Sequence, residues 1–130
     1  MIFVDTSALY ALADRGDPRH ARAVQLFQGL LQGDEALLTH NYVLLESMAL
    51  IQGRIGFRQA VALAEEARDF EVEWVDGPLH SEAVRRLSQL GNRRLSLVDQ
   101  VSFLVMRRRG AGRAFAFDRD FVRQGFQLLE

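Results

Sequence analysis

The chain has 130 residues, 48% hydrophobic and 25% charged, with a formal net charge of −1 and no cysteine. That length fits one domain, residues 1–130, with a real core; the charge balance gives no global pull on nucleic acid, and the missing thiols exclude disulfides and thiolate metal sites. No apolar stretch is long enough to span a membrane and Met1-Ile2-Phe3-Val4-Asp5 has no leader pattern, so the expectation is a cytoplasmic protein with no membrane partner.

Apolar runs of strand length alternate with longer helical patterns, which predicts βαβ units and a parallel sheet. The first strand is Ile2 to Asp5, and a short helix follows over Ala8 to Ala13. Asp17 is expected to cap a second helix with Pro18 at its first position. Its apolar spacing (Ala21, Val24, Leu26, Phe27, Leu30, Leu31) is helical, and Gly33 can end it. Ala36 to Thr39 reads as the second strand. Asn41 is the expected cap of a third helix, Tyr42 to Gln52, and a fourth runs from Phe57 to Arg68. Val72 to Val75 is the third strand. Pro78 opens a fifth helix that reaches Leu90 and stops at Gly91, and Ser96 starts a sixth. Ala114 to Phe117 is the fourth strand and Phe126 to Leu129 a short fifth. The expected fold class is α/β, a three-layer α/β/α sandwich with a mostly parallel sheet of about five strands. Ligands of such sheets bind outside the carboxyl ends of the strands.

Four acids stand at the edge of, or inside, apolar runs: Asp5, Glu46, Asp99 and Asp118. A carboxylate in such company is costly to desolvate, and several converging on one point need counter-charge, for which a divalent cation is a compact source. Asp5 ends the first strand, where it can also cap the helix after it. Glu46 sits in a helix apolar on nearly every side, where the other reading is an Arg salt bridge or burial as the neutral acid. Ser96-x-x-Asp99 spells a capping box, a role compatible with facing the sheet edge. Asp118 directly follows the fourth strand; Asp120, two residues on, can equally cap a helix beginning at Phe121. Thr6 and Ser102 are supporting hydroxyls, and Ser102 could orient a ligand water, although a plain helix serine is the blander reading.

All 16 basic residues apart from histidine are arginine. Arg107, Arg108, Arg109 and Arg113, with Arg93 and Arg94, could form a local phosphate-binding patch, though clustered Arg is more often a solvated face. His20, His40 and His80 lack metal-pair spacing; His40 follows a strand and could approach the site, but surface placement is the expectation. There is no phosphate-binding glycine loop.

Together Val4-Asp5-Thr6-Ser7-Ala8-Leu9, Glu46, Ser96-Leu97-Val98-Asp99-Gln100-Val101-Ser102-Phe103 and Phe117-Asp118-Arg119-Asp120-Phe121, then Gly125-Phe126, make the chain resemble PIN domains, specifically the small VapC-type ribonuclease toxins. The resemblance covers essentially the whole chain. It implies a Mg²⁺- or Mn²⁺-dependent endoribonuclease acting on an RNA substrate, a homodimer, and an antitoxin protein as partner. Asp5, Glu46, Asp99 and Asp118 match the family's catalytic and metal-binding acids, Thr6 and Ser102 its supporting hydroxyls, and Asp120 a position where a further acid sometimes occurs. The rival readings are a non-catalytic RNA- or protein-binding module of PIN-like fold and a structure-specific DNA nuclease. A haloacid-dehalogenase-like phosphatase needs a second Asp two residues after Asp5, where this chain has Ser7.

Overall fold

The centre of the sheet is the strand Ile2–Val4 (β1), whose three apolar side chains are all buried. A strand covered by helices on both faces has no solvent side, so it reads as a continuous apolar run instead of an alternating one. β1 pairs in parallel on one side with Leu37–His40 (β2) and on the other with Arg113–Phe115 (β4). Glu71–Glu73 (β3) extends the sheet beyond β2, and Gln127–Leu128 (β5) extends it beyond β4. The order is β3-β2-β1-β4-β5, every pair parallel. The expected mostly parallel, five-stranded sheet is therefore present. The computed structural model describes residues 1–90 and 94–130; Gly91, the expected stop of the fifth helix, and Arg93 of the expected basic patch lie outside the described residues.

Helices Thr6–Ala13 (α1), His20–Gln32 (α2), Asn41–Arg54 (α3), Phe57–Glu66 (α4), Gly77–Leu90 (α5), Leu97–Arg109 (α6) and Asp120–Arg123 (α7) flank the sheet. α1 packs on α2 and α3, α3 on α4 and α6, and α5 on α6. α6 is the most deeply set, with Gln100 through Met106 all buried. It ends at Gly110, whose φ of 72° is a left-handed conformation that only glycine adopts without cost.

Several boundaries differ from the sequence reading, each for a local reason. α2 begins at His20 and not at Pro18, because Asp17 closes a turn by accepting the Arg19 N–H at 2.8 Å. Asn41 does not cap α3. Its Oδ1 accepts the Val75 N–H at 2.7 Å, after β3, and His40 caps the helix instead. The helix expected to reach Arg68 stops at Glu66 and tightens into a 3₁₀ turn over Ala67–Asp69. β4 ends at Phe115, since the Phe117 N–H turns to the Ser7 hydroxyl and leaves the ladder. Asp118 thus lies in the loop after β4. The last helix begins at Asp120 with Arg119 as its N-cap residue, so Asp120 is not the cap.

Candidate active site

Asp5 follows β1 directly, at the carboxyl edge of the sheet. Its own N–H donates to the Phe115 carbonyl at 3.0 Å, and its side chain caps α1. Oδ2 accepts both the Ser7 N–H at 3.2 Å and the Ser7 hydroxyl at 2.7 Å. The same hydroxyl accepts the Phe117 N–H at 3.0 Å, one residue before Asp118. Ser7 thus ties the first acid to the loop carrying the fourth. Burial pushes the Asp5 carboxyl up to about 6; the Ser7 bonds oppose this, and the nearby charge of Asp99 adds to it.

Asp99 sits in the first turn of α6 and completes the capping box read from the sequence. Its Oδ2 accepts the Ser96 N–H at 2.9 Å, and the Ser96 Oγ accepts the Asp99 N–H at 3.2 Å. Desolvation raises its pKa, and the charges of Asp118 and Glu46 raise it further. The structure therefore brings Asp5, Glu46, Asp99 and Asp118, from four separate stretches of chain, into electrostatic reach around Asp99. Asp120 belongs to another set. It is buried, its N–H donates to Asp118 Oδ1 at 2.9 Å, and its carboxylate faces Arg123 at 2.6 Å and Arg94 at 3.4 Å.

The hydroxyls divide as well. Thr6 is buried, and its Oγ1 has no hydrogen-bond partner. Ser102 donates to the Val98 carbonyl at 2.9 Å and meets His40 Nε2 at 2.8 Å, so its proton is committed inside the fold and not offered to a ligand water. Contrary to expectation, His40 is completely buried. Ser7 is the polar group to which the sequence reading gave no role at the site. For Ser7 the signal was the two-residue offset from Asp5 typical of an Asx-type turn.

Among the described residues, the arginines of the possible basic patch are engaged at the surface instead, in line with the solvated-face reading. Arg108 is paired with Glu82, Arg109 with Glu71 and Glu73, and Arg113 with Glu35, while Arg107 bonds Gln124 and lies over the Phe126 ring. Arginines do stand near the acids, with Arg94 and Arg123 on Asp120 and Arg19 over the Phe117 ring at 5.5 Å.

Among the described residues no three His, Asp or Glu side chains are close enough to form a ready-made metal cage. The donors near Asp99 are nonetheless all hard carboxylate oxygens, and Mg²⁺ needs only one or two of them, keeping waters in its other positions. Among the described residues three buried polar atoms lack partners, Thr6 Oγ1, Ser47 Oγ and Gln100 Nε2, and each belongs to the residue right after one of the acids. Unpaired polar groups in that setting suit a hydrated ion and its outer waters better than an apolar ligand.

A parallel sheet of this order covered by helices defines an α/β sandwich, and the sequence matches the PIN domain family over residues 2–127. The chain belongs to that family. It is 41% identical over 128 residues to the 23S rRNA-specific endonuclease VapC20 of Mycobacterium tuberculosis (strains CDC 1551 / Oshkosh and ATCC 25618 / H37Rv), covering 97% of this chain and 95% of the relative. A crystal structure of M. tuberculosis VapC20, a sarcin-ricin loop cleaving toxin, superposes with a TM-score of 0.87 at 39% identity, over 97% of this chain and 96% of that one. FitAcB of Neisseria gonorrhoeae matches in fold, with a TM-score of 0.67 at 13% identity over 100% of this chain and 97% of that one.

Ser7→Ala is expected to lower RNA cleavage about ten-fold, in the range that lost outer-shell partners cost. Its donors hold the Asp5 pKa down, so removing the hydroxyl pushes that pKa above about 6. The acid limb of the cleavage pH profile should move to higher pH, which initial rates between pH 5 and 8 would show.

Proposed function

We propose that the chain is a divalent-metal-dependent endoribonuclease and the toxin of a toxin–antitoxin pair, acting in the cytoplasm on a structured ribosomal RNA loop. The observation that carries this reading is the mutual charge repulsion at the carboxyl edge, where Asp99 feels both Asp118 and Glu46 and Asp5 feels Asp99. Such a cluster favours the arrival of a cation and of nothing anionic without one. The likeness to VapC20 supports the substrate class and the antitoxin partner.

Asp5 and Asp118 would hold the principal Mg²⁺ or Mn²⁺, with Glu46 and Asp99 completing the shell directly or through water. When bound, such an ion supplies a more acidic water and stabilises charge developing on the phosphate. The chain's own residues supply the rest. Ser7 fixes the rotamer of Asp5, and the capping box fixes that of Asp99. Arg94, Arg119 and Arg123, around Asp118 and Asp120, would hold flanking phosphates. A homodimer is part of the same proposal, and the exposed Leu45, Phe57 and Val61 on α3 and α4 offer it apolar surface.

The test is cleavage of a labelled RNA containing a sarcin-ricin-type loop with Mn²⁺, with Mg²⁺ and with EDTA, by the native chain and by Asp99→Asn. Asparagine can still accept the Ser96 N–H, so α6 keeps its cap while the charge is lost. Cleavage is expected with either metal and in neither the EDTA nor the variant reaction. Undiminished cleavage in EDTA would refute metal dependence, and binding without cleavage by the folded native chain would favour a non-catalytic module.

A further inference from the structure

His40 occupies a position unlike that of any other histidine here. It ends β2, caps α3, and has no exposed surface. The Val43 N–H donates to its Nδ1 at 3.3 Å, which makes Nδ1 the bare nitrogen and puts the ring proton on Nε2. Nε2 lies 2.8 Å from Ser102 Oγ, and the Ser102 hydroxyl donates onward to the Val98 carbonyl at 2.9 Å. One proton arrangement therefore satisfies the whole chain from Val43 N–H to His40 to Ser102 to Val98. A second ring proton would set two N–H donors against each other at Nδ1, and burial independently pushes the ring's pKa down to about 3. The ring is also clamped between Phe3, two residues before Asp5, at 5.8 Å, and Tyr42 at 6.2 Å.

The two ends of this bridge belong to different helices. His40 starts α3, which carries Glu46, and Ser102 lies on α6, one turn after Asp99. We propose that His40 is a positioning residue for the acidic site, its neutral imidazole spanning from the cap of α3 to Ser102 and so setting how far Glu46 stands from Asp99. The proposal rests on the metal-nuclease reading for its consequence, though not for its geometry. A rigid crosspiece of this kind acts on ligands it does not touch, as outer-shell groups do at metal sites.

Two substitutions separate the functions of the ring. His40→Asn keeps an acceptor in the Nδ1 position for the α3 cap but is too short to reach Ser102. His40→Gln can place its amide N–H where Nε2 was while giving up the cap acceptor. Mn²⁺ binding is measured by calorimetric titration of each folded chain, Tm by thermal melting, and helix spacing by crystal structures of the metal-free variants. The Asn variant, which leaves part of the buried ring's space empty, is expected to melt lower while still folding, and to bind Mn²⁺ about ten-fold more weakly, with α3 displaced from α6. The Gln variant is expected to melt lower yet bind Mn²⁺ like the native chain. Equal Mn²⁺ affinity in native and Asn variants, or loss in both variants that simply tracks Tm, would overturn the proposal. If the native chain itself binds no Mn²⁺, the metal-nuclease reading fails separately. The crystal structures then decide for His40: native spacing in the Asn variant refutes it, and displacement there with native spacing in the Gln variant sustains it.

Discussion

Replacing Asp5 with asparagine is expected to abolish RNA cleavage while making the folded chain more stable above pH 6. Outer-shell losses at metal sites cost up to about 100-fold, so losing a carboxylate proposed to hold the metal itself should exceed that. The stability effect follows from linkage. The carboxyl has its ordinary pKa of 3.8 when unfolded and about 6 when folded, mainly through desolvation. The folded state therefore holds the proton more tightly, and ionisation penalises folding. That penalty is absent below about pH 4, grows between pH 4 and 6, and is complete above pH 6, at on the order of 3 kcal/mol. Asparagine carries no charge to desolvate and can still accept from Ser7, so the gain should appear in thermal melts at pH 7.5 and vanish near pH 4. Mn²⁺ should raise the Tm of the native chain by mass action and leave the variant's unchanged. A variant that melts lower at pH 7.5 and equally at pH 4 would show that Asp5 is stabilised as the anion and would contradict the assignment of its pKa.

The largest loss of stability is expected from Phe121→Ala. Phe121 is 1% exposed. Its ring meets Phe103 edge-on at 5.2 Å and tilts against Phe3 at 6.1 Å and Phe126 at 6.5 Å, so it joins α7, α6, β1 and the chain entering β5. Truncating a buried Phe costs about 3–5 kcal/mol where the cavity cannot collapse, and the rings of Phe103, Phe3 and Phe126, from three segments, leave little room to collapse. In a domain of this size that lowers Tm by roughly 10–20 °C. The neighbouring Val122, 40% exposed, is the control, and Val122→Ala should change stability by no more than about 0.5 kcal/mol. Since Asp118 Oδ1 holds the Asp120 N–H beside this ring, Phe121→Ala should also weaken Mn²⁺ binding below its melting range. Urea melts and metal titration of the two variants check both points.

The parallel sheet and the four acids were legible because each relies on local pattern. Ile2-Phe3-Val4 is apolar throughout, as a strand covered on both faces must be, and Asp5 interrupts it where burial has a chemical use. The capping box at Ser96 and Asp99 is likewise written within four residues. What escaped the sequence depends on distant partners. Asn41 has the better capping chemistry on paper, but the Val75 N–H, more than thirty residues later, donates to its side-chain Oδ1 and leaves the cap to His40. Histidine after a strand looks like a surface residue until Ser102 arrives to receive its proton. The arginines at 107 to 113 look like a phosphate patch because the glutamates that neutralise them, Glu35, Glu71, Glu73 and Glu82, come from three other segments. The end of β4 was misplaced for the same reason, since Ser7 draws the Phe117 amide away from the sheet across 110 residues of chain.

The strand order also sets when the four acids can meet. Of the central strand's two neighbours, β2 follows it closely, whereas β4 comes only after α6. Pairing across such a separation is slow, because the whole intervening loop must close before any contact rewards it. During synthesis β1 can pair with β2 alone, and Asp5 waits beside an open edge until residues 113–118 leave the ribosome. The growing chain thus carries three of its four acids without the fourth.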